Sequence, residues 1–332
     1  MPNYISNYIS IRNSLGNMAK DQALKGKRIL VSLLNKLYDY GQLSQSVYFN
    51  IFDTKVSQVL LYGAEIWGTK TRDSIEAVHY YACKRYMCVK QRAANMAVLG
   101  DCGRYPLYIA AAKRCIKYWI KILNMQDHRL VKKCYLLLFN MDIQGQTNWV
   151  TDIKYLLTRN GFGYVWYNQK VNNDKLFIKV LIQRLKDQFV QVWSSNISNS
   201  SKLLLYRNFK NTFEHEVYLD VLKIRKFRSA MAKLRTSNHD LNIERGRYTN
   251  IPRNERHCVI CNKENTVETE FHFILICDAY SLLREQYIPR KFWVLPNINK
   301  FNILINTRSE NVLKNLAYFI YYAKYRENLL NR

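Results

Sequence analysis

A chain of 332 residues with a 48% hydrophobic share is long enough to bury a sizeable core and too apolar for wholesale disorder. Its 51 lysines and arginines face only 25 aspartates and glutamates, and the resulting +26 points to a polyanionic partner rather than an acidic surface's cationic one. Only 11 glycines and 5 prolines leave too few turn formers for an all-β sandwich, so the expected fold is mainly α: a helical assembly with one small irregular module near the C-terminus.

The elements follow in chain order. Ile29, Leu30, Leu33, Leu34 and Leu37 recur at helical spacing among basic residues and predict a helix over Ala23–Tyr40, stopped at Gly41. A second helix is expected from Ser44 to Leu61, running into "LLYGAEIWG" and closing at Gly68, and a third over Asp73–Met87 with Lys84 and Arg85 at its C-terminal end. Basic amphipathic helices are then read at Pro106–Leu123 and His128–Leu138, before a polar break at "NMDIQGQTNW". A short helix from Trp149, a turn at Gly161 and Gly163 and a return through Tyr164 and Trp166 lead to helices at Lys175–Trp193 and Tyr218–Leu234, with "SSNISNSS" between them read as loop. Gly246 and Pro252 argue against one continuous helix beyond Leu234, and a last helix is expected over Asn311–Leu330. No segment has signal-peptide character and no run of about eighteen uncharged apolar residues occurs, so an intracellular chain without a membrane partner is expected.

Aromatic residues, 25 Tyr, 14 Phe and 6 Trp, are interleaved with the cations, which suits bases and phosphates better than a lipid surface. Solvating charge or an anionic-lipid contact is the competing reading. Of eight cysteines, Cys83, Cys88, Cys102, Cys115 and Cys134 are scattered through helical sequence and are expected as buried thiols. The other three lie in Cys258-x2-Cys261-x10-His272-x4-Cys277, a spacing that lets a tight turn and a following segment each offer two ligands to one ion. Three thiolates and one imidazole complete a tetrahedron with no open position, the chemistry of structural zinc, whose binding supplies about 10 kcal/mol or more of folding energy to a small module. His257 beside Cys258 is an alternative ligand. Around this cluster Arg245, Arg247, Tyr248, Arg253, Arg256 and Lys263 are candidate nucleic-acid contacts, with a solvated charged loop as the alternative. There is no phosphate-binding glycine loop, no nucleophile elbow and no adjacent Asp-Asp pair to hold catalytic Mg²⁺; Asp101, Asp152, Asp187 and Glu216 read as isolated caps or surface charges.

The runs "FDTKVSQVLLYGAEIWG", "GRYPL", "GFGYVW", "LNIERGRYTNIPRNERHCVIC" and "EFHFILICDAY", in that order, resemble the C-terminal half of non-LTR (LINE-type) retrotransposon polyproteins. That resemblance spans nearly the whole chain. It implies a thumb-like helical region at 1–70 and a CCHC zinc-binding module at 245–290; the polar break at "NMDIQGQTNW" and the helix pattern divide the rest into a basic helical region at 71–145, a helical linker region at 146–244 and a C-terminal helix at 291–332. It also implies RNA or target DNA as partner, an intact polyprotein of such an element as a second, and a nucleus or cytoplasm location. Cys258, Cys261, His272 and Cys277 are the ligands it carries over; the gap of ten residues before His272 departs from the shorter one of retroviral knuckles, so their geometry is not transferred. No catalytic aspartate is carried over. The expected function is nucleic-acid binding without an active site of its own, against an accessory role in an active RNA-directed DNA polymerase or a ribonucleoprotein scaffold.

Overall fold

The computed structural model describes residues 14–39, 43–261 and 266–330, and among these it is helical, with no strand beyond one isolated antiparallel bridge, His257 to Val267. Two compact units are built from alternating stretches of chain. One draws on the chain up to Asn35, on Asn50–His79 and on Tyr105–Val192; the other draws on Lys36–Phe49, Tyr80–Arg104 and the chain from Trp193 onward.

In the first unit the Leu107–Leu123 helix carries Ile109, Ala112, Cys115, Ile116 and Trp119 into the core and leaves Lys113, Lys117 and Lys121 in solvent, as its three- and four-residue spacing requires. The short Ala64–Trp67 helix lies close against it: a Cβ at Gly68 would stand 2.5 Å from the Ala111 carbonyl oxygen, so only glycine permits the approach. The Trp119 ring stacks on Trp166 with centroids 6.1 Å apart, and its Nε1 donates to the Tyr135 hydroxyl at 3.1 Å, which in turn donates to Gln169. Gly161, at φ 85°, makes the expected turn, but the segment after it is a helix, Gly163–Asn168, that buries Val165 and Trp166. The helix expected over Ser44–Leu61 is interrupted: Phe52–Val56 is wound as a π-turn closed by the Ser57 N–H on the Phe52 carbonyl, which inserts one residue and keeps both Phe52 and Val56 buried. The first helix runs over Ser14–Asp39, longer at its start than expected, and its expected stop at Tyr40 and Gly41 lies outside the described residues. The helix expected to end at Leu138 continues to Ile143; Asn148 then caps the Trp149–Arg159 helix in a capping box with Thr151.

The second unit is organised around a carboxylate. Asp101 is fully buried and accepts hydrogen bonds from the Tyr206 and Tyr218 hydroxyls, both at 2.9 Å, and from Arg235 Nε at 3.2 Å. Arg235 Nη2 also reaches Glu216 at 2.8 Å and Nη1 the Ile305 carbonyl at 3.1 Å, so a buried ion pair has every charged edge occupied. Burial alone would pull the Arg235 guanidinium down, but Asp101 and then Glu216 outweigh it and hold its pKa above the usual arginine range. Gly100, next in the chain, leaves room for Trp193 and Tyr206, which would meet a Cβ within 2.8 Å. Asp101 and Glu216 are therefore neither caps nor surface charges.

Three further expectations are corrected here. The "SSNISNSS" stretch belongs largely to a helix that runs from Asp174 to Asn199, because Trp193 and Ile197, one turn apart, are both buried and Trp193 Nε1 donates to the Met96 carbonyl. The Tyr218–Leu234 helix is broken into Tyr218–Val221 and Arg225–Arg235; the Arg228 guanidinium occupies the Leu222 and Lys223 carbonyls that the break frees. Of the five scattered thiols, Cys83, Cys102 and Cys115 are buried, whereas Cys88 is half-buried and Cys134 is exposed. The last helix, Glu310–Leu330, packs on Arg225–Arg235 and Ser281–Tyr287 through Leu313, Leu316, Phe319 and Ile320. Replacing Asp101 with alanine leaves Arg235 with an unneutralised edge in the core and is expected to cost about 3–5 kcal/mol; urea denaturation checks this, and an unchanged midpoint would contradict the role given to Asp101.

Candidate metal centre

The four nominated ligands converge. Cys258 Sγ, Cys261 Sγ, His272 Nε2 and Cys277 Sγ belong to a cluster whose ligand atoms all lie within 4.8 Å of one another, with Cys258 and Cys277 sulfurs 4.0 Å apart and Cys261 sulfur 3.5 Å from the imidazole nitrogen. Cys258, His272 and Cys277 are buried and Cys261 is half-buried.

Local backbone geometry explains the convergence. The Cys258 N–H donates to the Thr266 carbonyl and the Glu268 N–H to the Arg256 carbonyl, both at 2.8 Å, so residues 256–258 and 266–268 pair as a minimal antiparallel hairpin. The Ile260 and Cys261 N–H groups turn inward and donate to the Cys258 sulfur. The second pair of ligands sits on a π-turn, His272–Ile276, closed by the Cys277 N–H on the His272 carbonyl at 2.8 Å. On an α-helix two residues five apart point about 140° away from each other. Closing the turn one residue later brings them to the same side, and that is what allows a His-x4-Cys spacing to serve one ion. The π-turn is itself held: Phe273, Ile274 and Leu275 are buried, with Phe273 against Tyr280 and Phe319 of the last helix at 5.2 and 5.6 Å.

The electrostatics are those of a cation site. A hydrogen bond from the Cys277 thiol pulls Cys258 far below the usual thiol pKa despite burial, with His272 and the two N–H groups assisting. Cys277 is pushed up in consequence, its proton held by Cys258. Thiolates are the metal-binding form of cysteine, so an ion bound here would take the place of the proton between these sulfurs, 4.0 Å apart. Nδ1 of His272 is buried with no hydrogen-bond partner among the described residues, whereas Nε2 lies 3.5 Å from the Cys261 sulfur. The donor set fits a metal ion, and it does not include His257.

Around the ligands lies a polar brace that residue spacing did not reveal. Arg284, nearly fully buried, donates from Nε to the Ile274 carbonyl at 2.8 Å and from Nη2 to the Cys277 carbonyl, fastening the middle and the C-terminal end of the ligand-bearing turn; burial draws its pKa below the usual arginine range. On the other side the Asn242 N–H donates to Glu268 at 2.6 Å and its side-chain amide to the His257 carbonyl at 2.8 Å, while His239 Nε2 meets Glu270 at 2.9 Å. These contacts fix the Asn242–Tyr248 helix on the hairpin. That helix stops at Tyr248 and is separate from Arg225–Arg235, so no continuous helix crosses this stretch; at Gly246 a Cβ would stand 2.7 Å from the Arg256 side chain.

The nominated contact residues separate into two groups. Arg245 and Arg253 are exposed, and Tyr248 is 56% exposed with the Arg92 guanidinium 4.8 Å from its ring centre. Arg256 donates to the Ile251 and Ile243 carbonyls at 2.9 and 2.7 Å, and Arg247 to the Ser201 carbonyl and hydroxyl at 3.0 and 3.1 Å, so both clamp backbone. Lys263 lies outside the described residues. Comparison of the chain with known protein families, with curated proteins and with solved structures finds no match. The purified chain is expected to carry one equivalent of metal by elemental mass spectrometry, and Arg284→Met, which leaves all four ligands in place, to lose it to a chelator with about 10- to 100-fold weaker retention; retention equal to the parent chain would show that Arg284 does not support the site.

Proposed function

We propose that the ion is structural zinc and that the chain is a nucleic-acid-binding portion of a non-LTR retrotransposon reverse transcriptase, with no catalytic site of its own. The observation that carries this reading is the closed Cys3His cluster, joined by short backbone pairing to a helix that presents Arg245 and Tyr248 to solvent. Tetrahedral zinc with Zn–S near 2.3 Å and Zn–N near 2.05 Å requires edges of about 3.8 Å between sulfurs and about 3.6 Å between sulfur and nitrogen. The spacings of 4.0 and 3.5 Å lie close to both. Four protein ligands leave no position for water, so the metal organises the fold rather than activating a nucleophile. A net charge of +26 supplies the attraction to phosphate.

The motifs that resemble the C-terminal half of LINE-type polyproteins, from "LLYGAEIWG" to "EFHFILIC", support the assignment of nucleic acid as the polyanion. No helix among the described residues is long and apolar enough to cross a membrane, which leaves the exposed cations without a bilayer anchor of that kind. Binding to RNA and DNA oligonucleotides is expected to fall with added salt at a log-log slope of roughly 0.7 to 0.9 per phosphate contacted. Cys258→Ser is expected to lose both the metal and most of the affinity. Salt-insensitive binding, or full affinity in the metal-free variant, would contradict the reading.

A further inference from the structure

Away from the metal ligands, three segments of the second unit bring cations onto one loop. Lys84 and Lys202 place their ammonium groups on the successive carbonyls of Gln91 and Arg92, at 2.7 and 3.3 Å. Arg92 itself turns back over the Tyr248 ring, and Lys90 and Arg92 share the single carboxylate Asp240 at 2.7 and 3.6 Å. The loop is rigid by construction: the Lys90 N–H donates to the Asn238 side chain at 2.8 Å, the Val89 N–H to the Lys84 carbonyl at 3.1 Å and the Ala93 N–H to the Lys90 carbonyl at 3.0 Å.

The charge at this place is not balanced. Lys84, Lys90, Arg92, Lys202 and Arg247 converge on it, while among the described residues Asp240 serves two of them and the buried Glu244 lies 3.9 Å from Arg247 and also feels the Lys202 charge. Lys84 and Lys202 are held by backbone carbonyls, neutral acceptors that occupy one of the three N–H groups each carries. Burial first and the Lys202 charge second draw the Lys84 pKa down. Two ammonium groups seated on successive backbone carbonyls of a loop fixed in advance, the half-buried Lys202 beside the buried Lys84, form a preorganised place for a phosphate. Beside it stands Tyr248, an exposed residue with Arg92 over one side of its ring.

We propose that this loop is where a single nucleic-acid strand is held, its phosphodiesters against Lys202 and Arg92 and one base stacked on Tyr248. This rests on the nucleic-acid reading above and gives it a place and a strand form. Base faces are available to a tyrosine only when they are not stacked within a duplex, so the aromatic contact selects single strands while the cations do not.

The test uses the full metal-loaded chain and fluorescence anisotropy with labelled oligothymidylate, oligouridylate and a DNA duplex of equal length. The Lys202→Gln, Arg92→Gln double variant is expected to bind all three at least about tenfold more weakly and to lower the salt slope by about one to two. Tyr248→Ala is expected to weaken only the single strands, by about 5- to 100-fold, and Tyr248→Phe to restore them. Metal content and urea midpoint are read for each variant, and the exposed Tyr248 pair keeps the test decisive where the double variant loses its fold. Parental affinity in these variants overturns the assignment of the loop while leaving nucleic-acid binding intact. A Tyr248 effect equal on duplex and single strands overturns the strand preference, and a parent chain that binds none of the probes overturns the functional reading and this one with it.

Discussion

One backbone hydrogen bond, from the Cys277 N–H to the His272 carbonyl, closes the turn that brings His272 and Cys277 together with Cys258 and Cys261. Without that closure across five residues, His272 and Cys277 would face different sides of a helix and the hairpin that carries Cys258 and Cys261 would offer two thiols to nothing. The surrounding structure holds it from three directions: Arg284 from the carbonyl side, Phe273 on the last helix, and the Thr269 hydroxyl accepting the His272 N–H at 3.1 Å. A rare winding is tolerated because packing over-determines it, and the ligands in return make it worth keeping.

Cations in this chain do two kinds of work, and composition does not separate them. Arg228, Arg235, Arg256 and Arg284 spend their N–H groups on carbonyls or buried carboxylates and are part of the scaffold. Arg245, Arg253, Lys90 and Arg92 keep charge at the surface. Fewer cations than the composition implies are therefore left at the surface.

Local sequence carried the helix class, the amphipathic Leu107–Leu123 stripe and the cluster of Cys258, Cys261, His272 and Cys277, because each rests on spacing within a few turns or on side chains with few other uses at that spacing. It could not carry Asp101. Its partner Arg235 lies 134 positions away, and an aspartate between Gly100 and Cys102 looks the same whether capped, exposed or buried. The same limit applies to Arg92 and Tyr248, far apart in the chain and within 4.8 Å in space. Helix ends were lost for a different reason: the polar Ser194–Asn199 turn is helical because Trp193 and Ile197 are buried, a tertiary effect that overrides composition.

The central claim is that Cys258, Cys261, His272 and Cys277 surround one ion with four protein ligands. Its most direct measurement is the optical spectrum of the chain loaded with Co²⁺, whose geometry and ligand type are read from its visible and near-ultraviolet bands. Intense visible bands of tetrahedral cobalt with thiolate charge-transfer absorption, saturating at one equivalent, are predicted. A weak octahedral spectrum, or no uptake beyond that of free cobalt, would contradict it.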